Sequence, residues 1–360
     1  MRILHVINSL CIGGAEKLLT EIIPLQNKGN IADTLLLNGA KCPFKKYLID
    51  NGYLVHSVGM NNNIYNPIII LKIIPYLKKY DVIHVHLFPA QYWIIFAKLI
   101  SFSKVKLITT EHNTYNRRRN IIFFKYLDKF IYSFFDKIIC ISPEVKQSLC
   151  EYLPILNKSA IIIYNGINLD VYKKAKGYTK SDFISCLKEN DKLIVQVSRF
   201  SEQKDQDTVI KAIKILHSDY YVAFIGDGNR KNICEKLAFN LGVSDRVHFL
   251  GNRMDIPAIL KTSDLVILSS HWEGFGLAAV EGMASERPIL VSNVPGLSEV
   301  VANSECLFTS GNSEELAFKI QEIFSSNQKY NANIMANTQK AFLFDINNMV
   351  IQYEEVYLSL

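Results

Sequence analysis

Short apolar runs alternate with longer stretches of helical period along most of this chain. Residues 2–7, 34–37, 54–57, 82–85, 106–110, 137–141 and 160–164 read as strands, with amphipathic segments at 44–51, 67–79 and 90–100 among them. The runs are predominantly apolar, as expected of parallel strands buried on both faces. A second series begins at 192–197 and continues through 223–225, 247–250, 265–268 and 288–291. Such repetition predicts an α/β fold with doubly wound parallel sheets, and two series predict two domains. Pro75 should kink or break its helix. From Asn312 the pattern is helical to the end with a break near Asp345, and Met349, Tyr353 and Tyr357 share one face at i, i+4, i+8 spacing.

Composition narrows the class. A chain of 360 residues, 49% hydrophobic, is long enough for two cores and too apolar for disorder. The seven cysteines are scattered with no Cys-x-x-Cys pair, which reads as reduced, mostly buried thiols of a cytoplasmic protein and argues against structural zinc. Met1 to Ile7 reads as a strand rather than a signal peptide, because Asn8-Ser9 breaks the run and Gly13-Gly14 then opens a helix. No stretch reaches the roughly 18–20 apolar residues that cross a bilayer. A net charge of +6 is too small to favour nucleic acid. The charge is nevertheless concentrated. Asn116-Arg117-Arg118-Arg119 precedes a helix rich in Phe, Ile and Tyr, with Lys125 and Lys129 one turn apart. Two readings of 117–135 stand side by side. It lies on an anionic membrane surface, or its aromatics are the core face of a crossover helix and its arginines are solvated or touch an acidic acceptor.

Candidate chemistry gathers at strand ends, where doubly wound sheets bind ligands. Gly13-Gly14 lets backbone approach a ligand but is not the Gly-x-Gly-x-x-Gly dinucleotide fingerprint. His84 and His86 flank the end of one strand and Thr109-Thr110-Glu111-His112 ends the next. In the second half, Arg199 and Lys204 follow 192–197, Gly226-Asp227-Gly228 follows 223–225, and Arg253-Met254 follows 247–250. The most organised stretch is His271-Trp272-Glu273-Gly274-Phe275-Gly276-Leu277-Ala278-Ala279-Val280-Glu281-Gly282. It is a strand, a glycine-rich turn and a helix whose N-terminal N–H groups suit phosphate or sugar oxygens. Glu273 lies on the turn and Glu281 about two helical turns deeper.

Glu273 and Glu281, eight positions apart with Gly274-Phe275-Gly276 after the first, resemble the signature of retaining nucleotide-sugar glycosyltransferases of the GT-B fold, glycosyltransferase family four in particular. Gly13-Gly14-Ala15-Glu16, Thr110-Glu111-His112, Asn165-Gly166-Ile167-Asn168, Arg199 with Lys204, and Gly226-Asp227-Gly228 resemble that family's other motifs, in its order. The resemblance implies two Rossmann-like domains whose parallel sheets face a central cleft. Residues 1–172 would form the acceptor-side domain, joined by a returning C-terminal helix at 345–360, and 173–344 the donor-binding domain. The lysine-rich run from Tyr172 to Lys180 would be the linker.

The resemblance also implies roles. Arg199 and Lys204 would clamp the donor diphosphate, and His112 would reach a donor-sugar hydroxyl. Glu273 would contact the sugar and Glu281 the ribose. The N–H groups of Gly274, Phe275, Gly276 and Leu277 would hold sugar and phosphate oxygens, with Gly14 and Gly226 beside the donor. Backbone at Arg253 and Met254 would meet the base. Asp205-Gln206-Asp207 looks like the Asp-x-Asp metal motif of the other major glycosyltransferase fold, but it sits at a helix start where Asp complements the dipole. No metal and no other cofactor is expected. The implied reaction is hexosyl transfer with retention from a UDP- or GDP-sugar to a glycan or lipid-linked hydroxyl, at the inner face of the cytoplasmic membrane, in bacterial surface polysaccharide synthesis. A non-catalytic partner subunit, or a sugar-nucleotide epimerase or phosphorylase on a related fold, are the alternatives.

Overall fold

The buried apolar runs form two parallel sheets in the computed structural model, which describes residues 1–60, 63–114 and 116–360. The first sheet contains β1 (Arg2–Ile7), β2 (Ile31–Leu36), β3 (Val55–Ser57), β4 (Val82–His86), β5 (Lys106–Glu111), β6 (Lys137–Cys140) and β7 (Ala160–Ile162), in the order β3-β2-β1-β4-β5-β6-β7. The second contains β8 (Lys192–Val197), β9 (Tyr220–Ile225), β10 (Val247–Phe249), β11 (Leu265–Leu268), β12 (Ile289–Ser292) and β13 (Leu307–Phe308), in the order β10-β9-β8-β11-β12-β13. Strand order reverses between β1 and β4 and again between β8 and β11. Those two points are where doubly wound sheets take ligands.

Contacts divide the chain into two units, Met1–Gly166 with Ile346–Leu360, and Ile167–Asp345. The resemblance puts the first boundary after residue 172 and a linker from Tyr172 to Lys180. In the structure Leu169–Lys173 is a helix packed on Ile256–Thr262 and Leu277–Ala284. Lys180 is buried, its Nζ 2.8 Å from Asp264 and hydrogen-bonded to the Asp191 and Glu189 carbonyls at 2.6 and 3.0 Å. The lysine-rich run is therefore part of the second unit, because its last lysine supplies a buried charge with a full set of acceptors.

The C-terminal helix Ile346–Leu358 belongs to the first unit. Met349, Tyr353 and Tyr357 are all buried, in one core with Ile3, Ile7, Leu19 and Ile22. The expected break before it is a short 3-10 turn, Phe342–Phe344, and Pro75 likewise ends the helix Ile68–Ile73 in a 3-10 turn, Ile74–Tyr76. Ser142 caps Pro143–Tyr152 by accepting from Val145 N at 3.2 Å. Not all cysteines are separate thiols. Cys11 and Cys42 form a disulfide with Cα atoms 4.8 Å apart, since β1 and β2 are neighbours and both cysteines lie just beyond their C-terminal ends. The other five are free.

Candidate functional site

Four loops converge on the C-terminal edge of the second sheet, and their backbones are tied together before any side chain is considered. Ser198 N donates to Ile225 O at 3.0 Å, Phe200 N to Asp227 O at 3.0 Å, and Gly226 N to Gly251 O at 2.8 Å. A Cβ on Gly226 would lie 2.2 Å from Ser198 O, and one on Gly228 2.1 Å from Phe200 O. Both glycines have positive φ, +138° and +155°. The sequence pattern assigns this turn's glycines to leaving room for a donor. The structure gives them another job, because backbone of the loop after β8 fills that space. Gly226 and Gly228 thereby fix the course of Ser198, Arg199 and Phe200.

Arg199 leaves this scaffold exposed, and its guanidinium has no hydrogen bond or ion pair among the described residues. Phe200 beside it is fully buried, against Phe224 and Phe249, so the arginine's backbone cannot swing. Lys204 follows on the same loop. His271 N donates to Gln203 O at 2.8 Å, and Gln203 Nε2 donates to Trp272 O at 3.0 Å, which stitches this loop to the one after β11. Across that seam Lys204 Nζ forms an ion pair with Glu273 Oε2, both side chains mostly buried at 16% and 14% exposure. Glu273 Oε1 also accepts from Gly274 N at 3.2 Å.

The turn after Glu273 feeds the helix Leu277–Ala284 through Gly276, whose φ of +87° favours glycine. A Cβ there would meet Leu297 Cδ2 at 2.3 Å. Gly282 brings the helix down onto β11, where an added Cβ would lie 2.9 Å from Val266. Phe275 is buried and edge-on to Phe344, ring centroids 5.2 Å apart. The first-turn N–H groups of this helix point out of the sheet's C-terminal edge, and Glu281 is buried on it.

Two other expected residues behave differently. The Arg253 side chain folds back as a bidentate pair on Asp255 (Nε–Oδ1 2.8 Å, Nη2–Oδ2 2.6 Å), where Tyr178 OH also donates at 2.7 Å. The Arg253 bonds hold the Asp255 carboxyl well below its usual range. Only the backbone of Arg253, and the exposed Met254 side chain, remain to meet a ligand. Asp205 caps the helix Gln206–Ile215, accepting from Thr208 Oγ1 at 2.6 Å and Gly311 N at 3.2 Å, while Asp207 pairs with Arg230 at 2.7 Å. Both carboxylates of that Asp-x-Asp are spent on structure.

In the first unit, Gly14 begins the helix Gly14–Gln26 after β1, and His112 follows β5. His84 and His86, expected at a ligand-facing strand end, are buried and face the protein interior. His112 is partly exposed, and its Nε2 lies 3.3 Å from His86 Nδ1. Burial lowers its pKa to about 4, so the ring is neutral. The basic aromatic stretch splits in two. Arg118 is buried, 3.3 Å from Asp128 and stacked over Phe88, and Arg119 is 3.5 Å from the buried Glu111. These arginines hold the fold together instead of facing solvent; the Arg117 side chain lies outside the described residues. The helix Ile122–Tyr132 does expose Ile122, Phe123, Tyr126 and Phe130, with Lys125 and Lys129 exposed beside them. No described helix is long and apolar enough to cross a membrane.

Sequence reasoning missed Gln203, which joins the two principal loops, and the histidine cluster around His5. The second left a trace, since His84 and His86 two apart on a strand must share one face.

The family model for glycosyl transferases group 1 matches residues 178–341, and that for glycosyltransferase family 4 matches 12–171. An uncharacterized glycosyltransferase of Methanocaldococcus jannaschii is 29% identical over 214 residues, 58% of this chain and 56% of that protein. The UDP-Gal:alpha-D-GlcNAc-diphosphoundecaprenol alpha-1,3-galactosyltransferase of Escherichia coli is 31% identical over 199 residues, 52% of this chain and 50% of that one. The match thus spans about half the length of these curated relatives. Among solved structures, HepE of Anabaena in complex with UDP-glucose superposes with a TM-score of 0.86 at 25% identity, covering 100% of both chains.

Proposed function

This chain belongs to the group 1 glycosyl transferases of GT-B fold, and on that premise we propose that it moves a sugar from a nucleoside diphosphate sugar to a hydroxyl of a glycan or lipid-linked acceptor. The observation that carries this reading is Arg199. It is an exposed guanidinium with no partner among the described residues, on a backbone tied to the neighbouring loops, on the same loop as Lys204 and one loop from the Leu277 helix N-terminus, at the switch point of the second sheet. A leaving nucleoside diphosphate gains negative charge as the glycosidic bond breaks, and fixed cations and N–H dipoles aimed at it lower the barrier. A planar fork suits the diphosphate, and a helix N-terminus adds donors.

In this reading Arg199 and Lys204 hold the diphosphate, Glu281 accepts from the ribose hydroxyls, and the N–H groups of Gly274 to Leu277 hold donor oxygens. Backbone at Arg253 and Met254 meets the base. Glu273 stabilises positive charge on the sugar, and His112 meets a sugar hydroxyl. Transfer proceeds with retention. The bond from the anomeric carbon to the diphosphate oxygen breaks, the acceptor oxygen bonds to the same face, and the departing diphosphate takes the acceptor's proton. No metal is needed, because the cations are side chains. The donor is a UDP- or GDP-hexose. The setting is surface polysaccharide synthesis at the cytoplasmic membrane, in keeping with the diphosphoundecaprenol acceptor in the name of the Escherichia coli relative.

A thermal-shift panel of UDP, GDP, ADP and their common sugar conjugates, with and without EDTA, tests the donor reading. One nucleotide at 100 times its dissociation constant should add about 2.7 kcal/mol. The gain should survive EDTA and vanish in Arg199→Ala. If no nucleotide raises the melting temperature, the proposal fails.

We further propose that the exposed face of Ile122–Tyr132 rests on an anionic membrane. Apolar side chains at 122, 123, 126 and 130 flanked by two lysines are the composition of an interfacial helix. The protein should float with vesicles containing anionic phospholipid and stay behind with neutral ones. Phe123→Ser with Tyr126→Ser should abolish flotation at unchanged melting temperature, since both rings are exposed. Equal flotation of variant and parent would remove the idea.

A further inference from the structure

A chain of imidazoles runs through the first unit, and one amide fixes its polarity. His5 on β1 sits beside His84 on β4 in the sheet register, with His86 two residues on. His5 Nε2 lies 2.7 Å from Gln26 Oε1, and His5 Nδ1 3.1 Å from His86 Nε2. His86 Nδ1 lies 3.3 Å from His112 Nε2. His84 is held at both ends, Nδ1 2.7 Å from Tyr357 OH and Nε2 2.6 Å from Thr110 Oγ1. His5, His84 and His86 also bring ligand atoms within 4.8 Å of one another, a spacing a metal ion would accept. But all their ring nitrogens are already hydrogen-bonded, to one another, to an amide or to hydroxyls, and no carboxylate joins these bonds. The cluster is a relay rather than a ligand set.

Burial lowers the pKa of each of the four rings, so each is neutral and carries one proton. Gln26 then dictates where the protons sit. Its Nε2 donates to Tyr357 OH at 3.4 Å, and its Oε1 accepts from His5 Nε2–H. His5 Nδ1 is left bare and accepts from His86 Nε2–H. His86 Nδ1 in turn accepts from His112 Nε2–H. Tyr357, having accepted from Gln26, donates to His84 Nδ1, and His84 Nε2–H donates to Thr110. At the partly exposed end, His112 Nδ1 keeps a lone pair with no partner among the described residues.

We propose that Gln26, reaching His112 through His5 and His86, and Tyr357, which orients Gln26, are positioning residues that hold His112 as an Nδ1 acceptor, so that its ligand is a proton-donating hydroxyl and not an anionic oxygen. This deepens the sugar-transfer reading and rests on it for the identity of the hydroxyl. The same chain gives a proton taken up at His112 no final acceptor. A proton delivered to Nδ1 could be passed along the rings only as far as Gln26, and an amide does not take it up. A carboxylate in that place would.

The test is the tautomer of each histidine by long-range proton–nitrogen correlation on histidine-labelled protein. In the parent, His5, His84, His86 and His112 should all be Nε2–H with Nδ1 bare. In Gln26→Met the His112 signal should become a mixture of tautomers, and in Gln26→Glu, which keeps an acceptor toward His5, it should return to Nε2–H. Tyr357→Phe, which removes the hydroxyl that orients the amide, should also give a mixture, and serves if Gln26→Met does not fold. His112 as Nδ1–H in the parent, or a spectrum unmoved by Gln26→Met and Tyr357→Phe, overturns the proposal. Both readouts are independent of any transfer. In a transfer assay Gln26→Met should lower kcat by the fraction of His112 that leaves the Nε2–H tautomer, about twofold for an equal mixture, with Gln26→Glu restoring it. A parent spectrum as expected, with no transfer from any donor, would sink the sugar reading and leave the relay standing.

Discussion

Lys204→Ala should lower kcat by about 100- to 1,000-fold, the range found when one preorganised donor to developing charge is removed. The structure makes this a sharper statement than the position of a lysine after a strand. Lys204 is mostly buried, its loop is pinned to the β11 loop through Gln203, and its ammonium is bonded to Glu273. A cation held this way has already lost its rotamer freedom, so little entropy remains to be spent when it meets a diphosphate. Its pairing with Glu273 also links two proposed roles, one toward the leaving group and one toward the sugar. Glu273→Gln should therefore cost a similar factor, by removing the anion that steadies the sugar's positive charge and by releasing the lysine. The double variant should be only slightly worse than the worse single one, because groups that act as a unit lose their function together.

Folding separates this from mere damage. Lys204→Ala leaves Glu273 with the Gly274 N–H as its one partner among the described residues and costs stability, whereas the double variant leaves no orphaned charge and should melt closer to the parent. Activity and stability thus move in opposite directions between single and double variants. Initial rates at saturating donor and thermal melts on the same four proteins check both. Lys204→Ala or Glu273→Gln within twofold of the parent's kcat would mean that the pair is a structural bridge and that the diphosphate is held elsewhere.

Much of this was legible in the sequence, for a physical reason. A parallel strand buried on both faces favours a mostly apolar run, so 192–197 and 265–268 could be read to the residue. The loops after them carry glycines and charges that a purely structural turn does not need. What escaped was decided by partners far away in sequence. Nothing local says that Lys180 meets Asp264, that Arg118 meets Asp128 or that Cys11 meets Cys42. Gly226 and Gly228 announced a close approach, but whether ligand or protein approaches is set by the course of residues 198–200. β13 was missed because two residues at a sheet edge give no period to detect. His84 and His86 look ligand-facing from their place in the strand, yet the returning C-terminal helix covers His84 with Tyr353 and Tyr357, and His86 is packed among His5, His84 and His112.

That covering gives the first unit a pH limit that the second does not share. His5, buried completely, has its pKa lowered to about 4, chiefly by desolvation, with the Gln26 bond opposing; His84 and His86 lie well below the usual histidine value, also by burial. Among the described residues their hydrogen-bond partners are hydroxyls, an amide and other imidazoles, with no anion to support a charge. The unfolded chain binds a proton at each below pH 6.5 and the folded one does not, so stability is present above about 6.5 and is lost as pH falls toward the folded value. For His5 alone the loss is about 2 kcal/mol between pH 7 and 5, and His84 and His86 add to it. For a unit of this size that means a melting temperature lower by at least about 5 °C. The chain's two tryptophans report the units separately, Trp93 the first and Trp272 the second. In a Trp272→Phe background the Trp93 transition should fall steeply from pH 7 to 5. In a Trp93→Phe background the Trp272 transition should shift far less, because His248 is the second unit's only described histidine with a lowered pKa and it is not fully buried. His5→Asn should weaken the first unit at pH 7 but flatten its pH dependence. Equal acid sensitivity in both units would mean that the three buried imidazoles are charged in the fold, and the relay they form would then lose the neutral rings on which its polarity depends.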